Sequence, residues 1–506
     1  MTTERGVRIF AILLLALAVI ALDGYSLGRV PVSVTQDEVF LGLNAHAIAT
    51  SGRGVTGEFL PLYFPMYGAL ATNIWAQPIL IYLTALFLRL LPFSEWAIRS
   101  PTVLIGAIDA VLMFLIARQI FKRAGWAFIA AGLFILTPAN FIHSRLAMDY
   151  IYPLPFLLGW LFCMTLLVER PRLWLAFSGA ALLGLGFYSY IAAIVMMPLY
   201  FVIACLLVLK TSTRPWKLYG ALALGFLLPL LPAAWWLFHH PAALSSTVAR
   251  YELAAVAPAR GTGMLRTVAS MLRSWMHFYF ITDRVSLYWY FFNPSYLFLT
   301  GGLKVINSTR QFGVFLLPLA VLLPVGINEI INRRRSPLFL LLLAGLLTAP
   351  LAACLVNDSY AIERELELLP FAALIATVGA EWLWSRGRLY QVAAAGLLIA
   401  IPVQFGFFYR DYFGRYASES AGWFRAPTRL AMEEIIARES SPLRSPSVYI
   451  DNAITVGDWY WNFYLVKHHR EDLQPHTQYV DTSRTAWQSL APGSVVLTPS
   501  LAILQK

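Results

Sequence analysis

Charge is what this chain has least of. Of its 506 residues 13% are Asp, Glu, Lys or Arg and 59% are hydrophobic, whereas a soluble chain carries about 25% charged residues. Several apolar runs exceed about 18 residues, so the deficit reflects lipid-facing positions and excludes a soluble globular class. The alternating ten-residue segments of an outer-membrane barrel are missing. Cysteine is scarce as well. Cys163, Cys205 and Cys354 all lie inside apolar runs, with no CxxC and no Cys/His metal spacing, and they read as small buried hydrophobes. No glycine-rich phosphate loop stands between a strand and a helix. There is no low-complexity segment and no internal repeat. The net charge of +11 does not imply nucleic acid, because much of the Lys and Arg falls in short clusters between apolar spans.

Those clusters set an orientation. Arg5 and Arg8, Lys122-Arg123, Arg170 and Arg172, Lys210 with Arg214 and Lys217, Arg333-Arg334-Arg335, and Arg386 with Arg388 all fit on the cytoplasmic side of one zigzag. The N-terminus has the look of a signal sequence, but no A-x-A-like site follows, so it is read as an uncleaved first helix. The spans are then about 9–27, 98–121, 125–144, 152–169, 173–189, 191–209, 218–238, 312–332, 337–356, 366–384 and 390–408. This predicts a polytopic α-helical membrane protein with about eleven spans, multi-pass in the inner (cytoplasmic) membrane, with the N-terminus inside and the C-terminus outside. The apolar stretch 78–91 is too short to span and is read as a re-entrant or interfacial helix. Large outer, periplasmic loops cover 28–97 and 239–311, the second rich in Arg, aromatics and Pro. The membrane module is 1–408. The tail 409–506, with strand-like pieces at 447–450, 478–480 and 494–497 around a helical piece at 459–468, reads as a small α/β periplasmic domain.

Polar residues gather on the predicted outer face. Asp37-Glu38 follow the first span at the mouth of a polar loop, a costly place for a carboxylate without a task. His143, Ser144, Arg145 and Asp149 lie between the third and fourth spans. Tyr188-Ser189-Tyr190 form a short outer turn, and Asn357-Asp358 with Glu363-Arg364-Glu365 precede the tenth span. This set suits transfer of a sugar from a lipid-linked phosphate. Arginine holds the phosphate leaving group bidentately, and a carboxylate accepts the proton of the attacking hydroxyl. One base without a paired acid suits an inverting displacement.

At these residues the chain resembles the GT-C membrane glycosyltransferases, in the branch of the protein O-mannosyltransferases and the lipid A aminoarabinose transferase. The resemblance rests on Asp37-Glu38 after the first helix, on "ANFIHSRLAMD" (139–149) within a longer similar stretch over 94–150, and more loosely on "FFNPSYLFLTGG" (291–302) and "RELELLPFAALIATVGA" (364–380). It implies a GT-C fold over about 1–410 and a polyprenyl-phosphate-sugar donor entering from the outer leaflet. It also implies Asp37 as catalytic base, Asp149 at the second outer acidic position, and Arg364 at a phosphate-contacting position. One stretch departs: Trp75-Ala76-Gln77-Pro78 lacks the charged or His residue that often introduces the short loop helix.

The candidate site is therefore Asp37, Glu38 and Asp149 for catalysis, with Arg145, Arg364, His143, Tyr188 and Tyr190 for phosphate and substrate binding. Simpler readings stand beside these. Asp37 also fits a helix cap, Glu38 a solvated loop charge, and Asp149 an i,i+4 ion pair with Arg145. Arg145 also fits a headgroup anchor, and Arg364 an ion pair with Glu363 or Glu367. A divalent cation (Mg, Mn or Ca) is compatible with outer carboxylates, but no ligand set is legible. The expected partners are the lipid-linked donor, the bilayer, and an envelope glycolipid (lipopolysaccharide favoured), polysaccharide or protein acceptor. A lipid or sugar transporter or flippase is the alternative; it expects inverted repeats and midplane polar groups, and Asp109 alone points that way. A non-catalytic envelope assembly protein is the third reading.

Overall fold

The computed structural model describes residues 2–66, 74–211, 215–256, 262–439, 445–484 and 489–499. Arg214, used above to set the topology, lies outside the described residues, as do the side chains of Arg5 and Arg8. The fold is helical. Among the described residues, six helices are long and apolar enough to cross a membrane: Glu95–Phe121, Asp149–Glu169, Ala193–Thr211, Pro215–His239, Pro337–Leu355 and Arg388–Glu419. Six shorter apolar ones accompany them, among them Ile9–Gly24 and Pro78–Leu88. Each predicted span coincides with one of these twelve, and Pro78–Leu88 is the short loop helix.

Proline resets several boundaries. The expected span 125–144 is two helices, Ala124–Ile135 and Pro138–His143, because Pro138 has no N–H and its ring crowds the preceding turn. The expected span 337–356 likewise divides into Pro337–Thr348 and Leu351–Leu355 around Pro350. The predicted outer loops are helical too. Within 239–311 lie Ala242–Arg250, Met264–Trp275 and Phe278–Tyr290. Within 28–97 lies Gln36–Ser51.

The chain forms two compact units. The first comprises Met1–Tyr25, Pro61–Leu80 and Thr102–Gly414; the second comprises Ser26–Leu60, Ile81–Pro101 and Arg415–Lys506. In the first, glycines let helices touch backbone to backbone. A Cβ on Gly225 would fall 2.3 Å from the Phe177 carbonyl oxygen, which packs Leu173–Gly186 tightly against Pro215–His239. Gly326 and Gly379 do the same for Leu319–Asn332 and Leu368–Trp384, where added Cβ atoms would meet Ile375 O at 1.9 Å and Leu322 O at 2.2 Å.

The second unit holds a three-stranded parallel sheet. The fully buried strand Val448–Asp451 lies between Thr477–Val480 and Val495–Leu497, and Gly457–His468 is the helical connection. These match the strand-like and helical pieces of the tail. The helix Ala426–Glu439 goes beyond the sequence reading. The tail shares its unit with 26–60 and 81–101.

Candidate functional site

Each unit holds a polar constellation of its own. In the second unit, Thr35 caps the helix Gln36–Ser51: its hydroxyl accepts from the Glu38 N–H at 3.2 Å, and Glu38 Oε2 accepts from the Thr35 N–H at 2.9 Å. This is a reciprocal capping box. Glu38 is fully buried and forms an ion pair with Arg99 at 2.8 Å, so the reading as a solvated loop charge is corrected. Arg99 also donates to the carbonyls of Leu27, Pro31 and Ser33, at 3.2, 3.0 and 2.6 Å. One buried guanidinium thus gathers the segment that leads into the helix. Three side chains from the tail hold the next residues. Arg429 donates to Val32 O at 2.7 Å, Tyr464 shares a 3.1 Å hydrogen bond with Ser33, and Tyr460 donates to Val34 O at 3.1 Å. Asp37, two residues beyond the cap, is half-buried in the first helical turn, where the helix N-terminus favours negative charge.

In the first unit, the turns Asp149–Ile151 and Ile362–Arg364 pack together. Arg364 pairs with Asp358 at 3.3 Å and lies over the Tyr251 ring at 5.3 Å. Its pairing partner is therefore Asp358, not Glu363 or Glu367 as the sequence suggested. Lys304 reaches the same Asp358 oxygen at 2.8 Å and Glu363 at 2.6 Å. Burial works against both cations. The surrounding Glu363 and Asp358, joined by the Tyr190 and Tyr251 phenols at Arg364, outweigh it and hold both more firmly protonated than usual. Tyr190 is buried beside Arg364, Glu363 and Asp149, and burial raises its phenol well above the ordinary value. Tyr150 packs edge-on to Tyr190 at 5.4 Å and to His143 at 5.9 Å. Behind this group, Tyr296 donates a short hydrogen bond to the buried Glu365.

The structure thus brings together Asp149, His143, Tyr190, Asp358, Glu363 and Arg364 of the residues singled out from sequence, and adds Lys304 and Tyr251. Lys304 was hidden because it follows a glycine pair in a loop with no periodicity. Two candidates are occupied elsewhere. The Tyr188 hydroxyl donates to Pro229 O at 2.7 Å and accepts from Ala233 N–H at 3.1 Å, at the position of a helical i to i+4 bond weakened by two prolines. Arg145 is fully buried among the rings of Phe141, Tyr412 and Phe413, at 5.2, 5.4 and 4.9 Å. It donates to the carbonyls of Asp23 and Tyr25, so it ties down the end of the first helix and is no headgroup anchor. Trp75 pairs in a two-residue ribbon with Pro65 and packs on Trp236 at 4.9 Å. Among the described residues, no group of three or more His, Cys, Asp or Glu side chains is placed to hold a metal ion.

Residues 76–236 match the family model described as dolichyl-phosphate-mannose-protein mannosyltransferase. No curated protein matches the chain. Among solved structures it is similar to ArnT from Cupriavidus metallidurans bound to undecaprenyl phosphate, with a TM-score of 0.56 and 15% identity, covering 96% of this chain and 92% of that one. Against the apo state of the same protein the TM-score is 0.53 and the identity 16%, covering 94% and 90%. At such identity the likeness is one of fold.

Proposed function

This chain has the GT-C membrane glycosyltransferase fold, and from that premise we propose that it is an inverting glycosyltransferase. It moves a sugar from a polyprenyl-phosphate carrier to a cell-envelope acceptor, a glycolipid by preference, on the outer face of the membrane. The observation that carries this reading is the single Asp358 oxygen shared by Lys304 and Arg364. A carboxylate oxygen bridging two cations occupies the place a phosphate oxygen would take. Lys304 and Asp358 are partly open to solvent, at 48% and 25%, so exchange of one anion for the other needs no rearrangement of the buried core.

The chemistry follows. Two held cations stabilise the charge that develops on the departing lipid phosphate. The acceptor hydroxyl must lose a proton as it attacks the anomeric carbon, and a carboxylate accepts it. That role goes to Asp37, on the resemblance of its position after the first helix. Asp149, beside Tyr190, orients a donor or acceptor hydroxyl. No step requires a nucleotide. Replacing a base of this kind typically costs roughly 10²–10⁴-fold in rate.

The test is mass spectrometry of envelope glycolipids from a strain lacking the gene, complemented with wild type or Asp37→Asn. The expected result is a glycolipid lacking one sugar, restored by wild type and not by a folded Asp37→Asn protein. Equal restoration by both would overturn the base assignment.

A further inference from the structure

A helix in the second outer loop turns its apolar side away from the protein. In Met264–Trp275 the residues Leu265, Val268 and Leu272 recur at helical spacing, continue onto Met276 and form one stripe, with Thr267, Ser270 and Ser274 on the opposite side. On a helix that faces water the apolar stripe packs inward. Here the burial is reversed. Thr267 and Ser274 are buried, whereas Leu265, Leu272 and Met276 are 86%, 61% and 79% exposed. Hydrogen bonds hold the helix this way round. Ser274 Oγ donates to Ser270 O at 3.0 Å and accepts from the Ala255 N–H at 2.8 Å, and the Thr267 hydroxyl donates to Gly263 O at 3.3 Å. The buried polar side is therefore satisfied, and the apolar side is left for another medium.

Charge identifies that medium. Arg266 and Arg273 are exposed along one edge of the stripe, and neither forms an ion pair among the described residues. The helix contains no Asp or Glu. Its 12 residues rise about 18 Å at roughly 1.5 Å each, too little to cross a hydrocarbon core of about 30 Å. An apolar stripe beside unpaired arginines is complementary to a bilayer surface with anionic headgroups: the apolar side chains enter the acyl boundary while the guanidinium groups reach back to the headgroups. Phe278, Tyr279, Trp289 and Tyr290 of the next helix are exposed as well and suit the same depth. The helix is also joined to the cation pair. It packs with Ala242–Arg250 and Phe278–Tyr290, and Arg284 of the latter donates to Glu252 O at 2.9 Å. The residue before Glu252 is Tyr251, whose ring lies beneath Arg364.

We propose that Met264–Trp275 is seated in the adjoining membrane leaflet, with its apolar stripe in the acyl boundary and Arg266 and Arg273 on anionic lipid headgroups. The seat steadies the three-helix piece that carries Tyr251 to Arg364. It does not depend on which group the protein transfers or on the acceptor.

The test uses full-length protein in lipid nanodiscs made of phosphatidylcholine alone or with phosphatidylglycerol. In a background without Cys163, Cys205 and Cys354, Leu265→Cys and Leu272→Cys each carry a bimane label, and quenching by nitroxide-bearing lipid is compared with quenching by acrylamide from the water. At both positions the label should be quenched by the lipid and shielded from acrylamide. Amide hydrogen exchange over 264–276 in the unmodified protein should slow by about tenfold when phosphatidylglycerol is added, since each arginine at an anionic surface contributes about fivefold. Arg266→Gln with Arg273→Gln, at an unchanged melting temperature, should lose that slowing. Quenching by acrylamide alone shows a face open to water and overturns the proposal. Shielding from both quenchers, as beneath a second copy or another protein, overturns it as well. Exchange that ignores phosphatidylglycerol in a protein whose labels are quenched by lipid overturns the placing of Arg266 and Arg273 on anionic headgroups.

Discussion

Arg99 and Glu38 are both fully buried, and such a pair becomes strongly destabilising when one partner is removed, by about 3–5 kcal/mol. Glu38 therefore supports the helix start. Glu365 is a different case. Burial raises its carboxyl well above the ordinary 4.5, with the Tyr296 hydrogen bond acting in the opposite sense. For an acid whose folded pKa exceeds its unfolded one, stability is full below the unfolded value and declines as pH rises towards the folded value. Thermal unfolding should therefore show the wild type losing melting temperature as pH rises above about 4.5. Glu365→Gln keeps an acceptor for Tyr296 and should flatten that slope. Equal slopes for the two proteins would show that Glu365 is not the group responsible.

At the scale of elements, the segment 27–38 is held from two sides within its unit. Arg99 bonds Leu27, Pro31 and Ser33, and the tail helices supply Arg429, Tyr460 and Tyr464 to Val32, Val34 and Ser33. The tail thus acts on the residues that lead into Asp37. Tyr460→Phe with Tyr464→Phe removes two hydrogen bonds, worth about 0.5–1.5 kcal/mol each. Turnover should fall by roughly tenfold to a hundredfold, the scale of a misplaced catalytic group, while the donor KM stays unchanged. Steady-state kinetics of the folded double variant checks this. A KM rise at constant kcat would assign the tail to binding instead.

At the scale of the whole molecule, twelve apolar helices lie among the described residues, six of them long enough to cross a membrane. The orientation expected from the positive-inside rule is open to cysteine labelling. In a background without Cys163, Cys205 and Cys354, Arg123→Cys should react with a membrane-impermeant maleimide only from the cytoplasmic face. Arg310→Cys should react only from the other face. Labelling of both from one side would invert or break the zigzag and would remove the outer-face placement of Lys304 and Arg364.

The helical membrane class was legible in apolar length and composition, because a bilayer demands a long apolar run wherever it is crossed, and six of the predicted spans fall on helices of that length among the described residues. The capping box at Thr35 and Glu38 was also written locally, in a spacing of three residues. Asp149, Tyr190 and Arg364 were legible as polar residues in turns next to apolar spans. Their grouping was not. Lys304 and Asp358 are 54 positions apart and Glu38 and Arg99 are 61 apart, and nothing in local pattern encodes such pairing. Nor does sequence say which arginine is buried among rings and carbonyls and which pairs with a carboxylate. Arg145 and Arg364 look alike on the chain. Packing encloses the first among three aromatic rings and two carbonyls, and sets the second against the partly open carboxylate of Asp358.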